Sequence, residues 1–272
     1  MTARQVHAVI AAGLENPSLL ADWRQKPDQL RGYGIEPDDL DLNALWKFAG
    51  LAAKVRHNGL RADLPLTFRL MNVAGLEIEM FASYASFRAA EPYADTAQAR
   101  AGDLLKFLER WLDGDRLEHA LLWDLIRYEL ALAQLSRSTV TDCRSSRRQS
   151  TPKPRPASVP RVRGEIVLHE MRCDPRAVGA ILQEKSPKLE RISLGAFYFC
   201  YWRRSSAPEV FVLQLDELGF YLLSLIDGRQ SIADLSCMLG GNGKPAPTLL
   251  DALAELSAIG ILSFDGRSKR TS

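Results

Sequence analysis

Hydrophobic positions recur at helical spacing through the first half of the chain. In "DLNALWKFAGLAAKVRHNGLRADLPLTFRLM" Leu45, Phe48, Ala49, Ala52 and Val55 fall on one helical stripe, and Leu60 and Leu64 lead up to Pro65. Before it, "NPSLLADWRQKPDQLRGYGI" predicts a helix from about Ser18. A short helix follows Pro27 and stops near Gly32 and Gly34, where glycine accepts the positive φ of a helix end. "GLEIEMFASYASF", "AGDLLKFLERWLDG" and "LEHALLWDLIRYELALAQL" continue the pattern. In the last of these, Leu121, Leu125, Tyr128 and Leu132 share a face, with Trp123, Arg127 and Glu129 turned toward others. A bundle of five to seven helices is the expectation.

Beyond Pro160 the period changes. "GEIVLHEMR" alternates as a strand does, "DPRAVGAILQE" reads as a short helix opened by Asp and Pro, and "LGAFYFCYWRR" with "PEVFVLQLD" forms a hairpin across "SSAP". Three helices follow. Asp216 can cap the first and Asp227-Gly228 end it; Ser231 and Asp234 form a capping arrangement for the second; Pro247 opens the third and Gly260 stops it, before "ILSF" closes as a strand. The expected fold is therefore mainly α with a smaller α+β part. It comprises a helical domain over residues 1–136, a linker over 137–160, a winged-helix-like domain over 161–266 and a tail over 267–272.

Composition agrees with this division. A chain of 272 residues has room for two cores, and 46% hydrophobic with 25% charged residues is the make-up of a soluble globular protein. The linker "SRSTVTDCRSSRRQSTPKPRPASVP" has almost no large apolar residue to bury. Arg137 to Arg163 carry eight Lys or Arg against one Asp, a balance of +7, which leaves about −5 for the remainder when subtracted from the net +2. No apolar run approaches the roughly 20 residues of a membrane span, and the N-terminus lacks a secretory cleavage signal, so no membrane association and a cytoplasmic location are expected.

Signals for chemistry are sparse. Cys143, Cys173, Cys200 and Cys237 form no C-x-x-C pair and read as reduced structural thiols. "HEMRC" at His169 has Cys173 where a zinc protease needs its second His. "GGNGKP" lacks the spacing of a phosphate loop and has Pro after Lys244. His7, His57 and His119 stand alone in sequence and read as structural. No metal set and no catalytic constellation is expected in this chain.

A strand, a helix, a turn and a second helix usually announce a DNA reader. That function needs Arg, Lys, Asn or Gln on the third helix, and "PTLLDALAELSAIG" has no cation but does have Asp251 and Glu255. Its apolar residues cover more than half of its circumference, and "VFVLQL" is apolar on both faces. If that strand is the sheet edge, the two describe a groove for an extended peptide added as a strand. Val210, Phe211, Val212 and Leu213 would supply backbone pairing, and Leu249, Ala252, Leu253 and Leu256 the apolar wall. A nucleic-acid-binding regulator acting through the basic linker is the alternative.

Two stretches carry a resemblance. "VFVLQLDELGFYLLSLIDGRQSIADLSCML", with Leu215-Asp216, Asp227-Gly228 and Ser231-Ile232-Ala233, followed by "LLDALAELSAIGIL", resembles the PqqD-like precursor-peptide recognition element. "VRHNGLRADLPLTFRLMNVAGLEIEMFASYA", with "FLERW" and "LLWDLIRYELALA", is similar to the helical domain of the TglI-like accessory proteins. Those are partner subunits of TIM-barrel, multinuclear iron enzymes that modify cysteines of ribosomal precursor peptides. The resemblance implies a non-catalytic subunit that holds a leader peptide and forms a heterodimer with the iron enzyme. It implies no cofactor in this chain, iron in the partner, and no nucleic acid. Arg56, Asn58, Trp123, Arg127 and Glu129 would be the docking residues, although Arg56-His57-Asn58 departs from the family's commoner Arg-Asn-Asn.

Overall fold

A computed structural model describes residues 2–87, 96–138, 154–204 and 209–265. The protein is mainly helical with a smaller α+β part. The chain runs through α1 (Ala3–Glu15), α2 (Pro17–Gln25), α3 (Leu42–Arg56), α4 (Pro65–Val73), α5 (Glu77–Phe87), α6 (Ala97–Trp111) and α7 (Leu117–Arg137). It continues with β1 (Val159–Val162), β2 (Glu165–Met171), α8 (Pro175–Leu182), β3 (Phe197–Arg203) and β4 (Val210–Leu215). The helices α9 (Glu217–Leu225), α10 (Ile232–Met238) and α11 (Pro247–Ile259) precede β5 (Leu262–Asp265).

Contacts divide these elements into two compact units. One comprises Met1–Leu130 with Pro175–Ile192, and the other Ala131–Asp174 with Ser193–Ser272. The division departs from the sequence boundaries: α8 belongs with the first unit. Gly179 of α8 faces the Leu66 side chain, and the Arg69 guanidinium of α4 donates to the Leu182 carbonyl oxygen that ends α8. The expected linker also ends early, since residues 154–162 are ordered onto the second unit. Ser158 and Pro156 offer carbonyl oxygens to the first amides of α10, Ile232 and Ala233, at 2.9 Å each, and β1 pairs antiparallel with β5. Pro160 is tolerated because a two-stranded ladder leaves one side of each strand without a partner amide to satisfy.

In the first unit, α1 opens on a capping box: Thr2 accepts from the Gln5 amide and the Gln5 side chain accepts from the Thr2 amide. Val9, Leu20, Trp23, Leu30, Ile35, Leu45 and Ala49 form one buried cluster. The stripe expected on α3 is only half realised. Leu45 and Ala49 are buried, but Phe48 and Val55 are 55% and 59% exposed. The reason is the approach of α5, which crosses α3 at Gly50; a Cβ there would lie 2.5 Å from the Ile78 carbonyl oxygen. Contact made through a glycine turns the large residues of α3 to either side of the seam.

The second unit is built on an antiparallel sheet in the order β2-β3-β4, with Cys200 opposite Leu168 and Leu213, and Trp202 opposite Ile166 and Phe211. These residues share one face and pack on Leu222, Leu223, Ile232, Leu235, Leu249, Leu253 and Leu256 of α9, α10 and α11. The capping expectations are met. The Gly219 amide donates 2.7 Å to Asp216, the Asp234 amide donates 3.2 Å to the Ser231 hydroxyl, and Gly260 ends α11 at φ 95°. Gly164, at φ 94°, turns β1 into β2 where a side chain would collide with the Arg203 carbonyl.

Candidate functional site

β4 lies at the end of the sheet and pairs, among the described residues, with β3 alone. In an antiparallel pair alternate residues turn both backbone groups away from the partner, so about half of its six residues present N–H and C=O groups outward. Native edges are usually guarded by charge. The opposite edge, β2, has Glu165, His169 and Glu170; β4 has only Gln214 as a polar residue, and Val210, Phe211, Val212, Leu213 and Leu215 are all half-buried. Phe211, Leu213 and Leu215 turn toward the helices, which by alternation places Val210, Val212 and Gln214 on the other face.

The expected apolar wall is corrected. Leu249, Leu253 and Leu256 are 5%, 0% and 4% exposed and belong to the core beneath the sheet; Ala252 is half-buried against it. The apolar arc of α11 is wide because the helix packs on α9 and β5 and shares one core with the sheet, which leaves Ile259 as its one exposed large apolar residue among those described. The polar face shows Asp251 and Glu255. The end of α11 reaches β4 through Arg204, a residue without a role in the sequence reading. Its side chain lies over the rings of Trp202 and Phe211 and donates to the Ile259 carbonyl oxygen. In "YWRR" Arg204 follows Arg203, the last residue of β3, and nothing local marks it out from that arginine.

The five expected docking residues have different surroundings. Glu129 is buried and occupied within the first unit. One carboxylate oxygen accepts from the Leu66 amide at 2.7 Å, the other from the Thr67 amide at 2.8 Å and the Thr67 hydroxyl at 2.7 Å. It caps α4, whose own N-cap residue, Leu64, has no side-chain acceptor. Burial pushes its pKa up, and the hydrogen bonds from Thr67 and Leu66 offset part of that rise. Glu129 is therefore an internal cap and not a docking residue. Arg127 lies 5.5 Å over the Trp123 ring and 4.0 Å from buried Asp124. Asn58 is exposed and accepts from Arg61 at 3.2 Å; Arg56 ends α3.

Of the histidines expected to be structural, His57 and His119 are inside, whereas His7 is exposed on α1. His119 stacks on Trp111 at 4.8 Å and its Nδ1 accepts from the Asp113 amide, while desolvation lowers its pKa. His57 is buried between the Phe81 and Tyr84 rings. Burial pushes the Cys200 thiol up to about 12, which keeps it protonated and unreactive. Among the described residues no group of three or more His, Cys, Asp or Glu could hold a metal ion, and no helix is long and apolar enough to cross a membrane. No family model matches the chain, and no curated protein matches it.

Proposed function

We propose that the second unit receives an extended peptide as a fourth strand on β4, and that the protein is a non-catalytic subunit that holds the leader of a ribosomally made precursor peptide. The observation that carries this reading is the unguarded edge: a strand apolar on both faces that pairs, among the described residues, with β3 alone, where the opposite edge of the same sheet bears charge. The acidic outer face of α11 favours a peptide over nucleic acid, because phosphates would meet Asp251 and Glu255. The resemblance to the PqqD-like element and to the TglI-like proteins supplies the rest of the reading. Held by its leader, the peptide would present a cysteine to a TIM-barrel multinuclear iron enzyme bound in a heterodimer, with the iron in that partner. Tethering raises the local peptide concentration to the millimolar order typical of short linkers.

The test is calorimetric titration of the full chain with the peptide encoded by a short cysteine-bearing reading frame beside this one. Leu253→Asp is a poor probe, because that side chain is 0% exposed and the change would unfold the unit. Val212→Lys guards the edge instead. It should abolish binding while circular dichroism stays unchanged; undiminished affinity in the folded variant overturns the reading.

A further inference from the structure

The open edge of β4 has one end that differs chemically from the rest. The Arg204 guanidinium carbon lies 4.7 Å from the centre of the Trp202 ring and 5.0 Å from that of Phe211, and one nitrogen donates 3.3 Å to the Ile259 carbonyl oxygen. The end of β3, the start of β4 and the last turn of α11 thus locate a single cation. Contact with the rings consumes no N–H donor, and one of the five goes to Ile259, so most remain unspent. The side chain is exposed, and among the described residues no carboxylate pairs with it.

Phe211 pairs with Trp202 across the sheet, and both face the helices. A strand added to β4 would set one side chain beside Phe211 on that face, within reach of Arg204. Its side chains two and four residues along would lie beside Leu213 and Leu215, where the face is apolar. We propose, resting on the strand-addition reading above, that the peptide carries an Asp or Glu at the position facing Arg204 and apolar side chains at the next two positions on the same face. The ion pair then selects one register. A slip of one residue would turn the carboxylate to the opposite face, and a slip of two would place it against Leu213. An arginine at the end of a helix whose exposed face carries Asp251 and Glu255 suits one carboxylate and not a polyphosphate.

Selection of a random 12-residue peptide display library (on the order of one strand plus flanks) on the full-length protein tests this while leaving the ligand's sequence open. Selected peptides should share an acidic residue with apolar residues two and four positions away. Their affinity should fall about fivefold for Arg204→Ala, as for a solvent-accessible ion pair. Arg204→Lys should keep the acidic preference, and Arg204→Glu should select Lys or Arg at the same position. Peptides without acidic enrichment, or equal affinity for Arg204→Ala, overturn the role of Arg204. In that case loss of binding on N-methylation of alternate peptide amides still upholds strand addition. Binding that survives N-methylation in both alternate sets, or the recovery of no binder, overturns strand addition and this inference with it.

Discussion

Glu129 and Arg204 show opposite failures of sequence reading. Glu129 looks like a surface charge in the sequence because one residue's neighbours do not reveal that Thr67, 62 residues earlier, lies in the first turn of a helix with amides its own N-cap leaves unsatisfied. Its three hydrogen bonds explain both its burial and its chemistry. Because burial raises its folded pKa, the folded chain keeps a proton that the unfolded chain has lost, from the ordinary value of 4.5 up to the raised one. Its contribution to stability therefore falls as pH rises through that window. Glu129→Gln presents an NH₂ group to a donor and should cost about 1–2 kcal/mol below the window. That deficit should shrink as pH rises through it, measured by urea unfolding at a series of pH values; a deficit independent of pH would contradict the assignment. Arg204 escapes notice for the converse reason, since its meaning depends on a ring of β4 and a carbonyl of α11 that are distant in sequence. The residues that carry the resemblance have local work. Asp216 and Ser231 cap helices, and the Asp227 carboxylate accepts from the Arg229 amide, which holds its pKa below the usual range. They report how the chain turns, not what it binds.

The three strands of the sheet and the three final helices are legible in the sequence because each is bracketed by its own stop and start signals, from Asp216 to Gly260. β1 is not, because Pro160 in a Ser/Arg/Pro context reads as linker and only the distant β5 makes it a strand. α1 is also absent from the sequence reading, although Thr2 and Gln5 spell a capping box. Helical spacing finds the buried Leu45 and Ala49 of α3 but cannot show that α5 crosses at Gly50. That crossing makes a definite demand. Gly50→Ala forces the α3–α5 backbones apart and should destabilise the first unit by about 2 kcal/mol, seen in chemical denaturation; a neutral or stabilising effect would show that the crossing is looser than described.

Two compact units follow from the linker composition, but their segment boundaries do not. Because α8 is inserted from beyond the linker and packs on α4, a fragment ending at residue 136 would lose the cover that Gly179 gives to Leu66. Work on binding therefore calls for the full chain. The basic residues of the linker lie largely in 139–153, outside the described residues, so the sequence reading of a linker-driven regulator rests on composition alone. The most direct measurement of strand addition on β4 is amide hydrogen exchange of the full chain with and without a saturating display-selected peptide. The outward-facing amides of Val210–Leu215 should gain protection in an alternating pattern, as a new ladder requires. Protection confined to the α1–α7 helices, with β4 exchanging as before, would contradict the account.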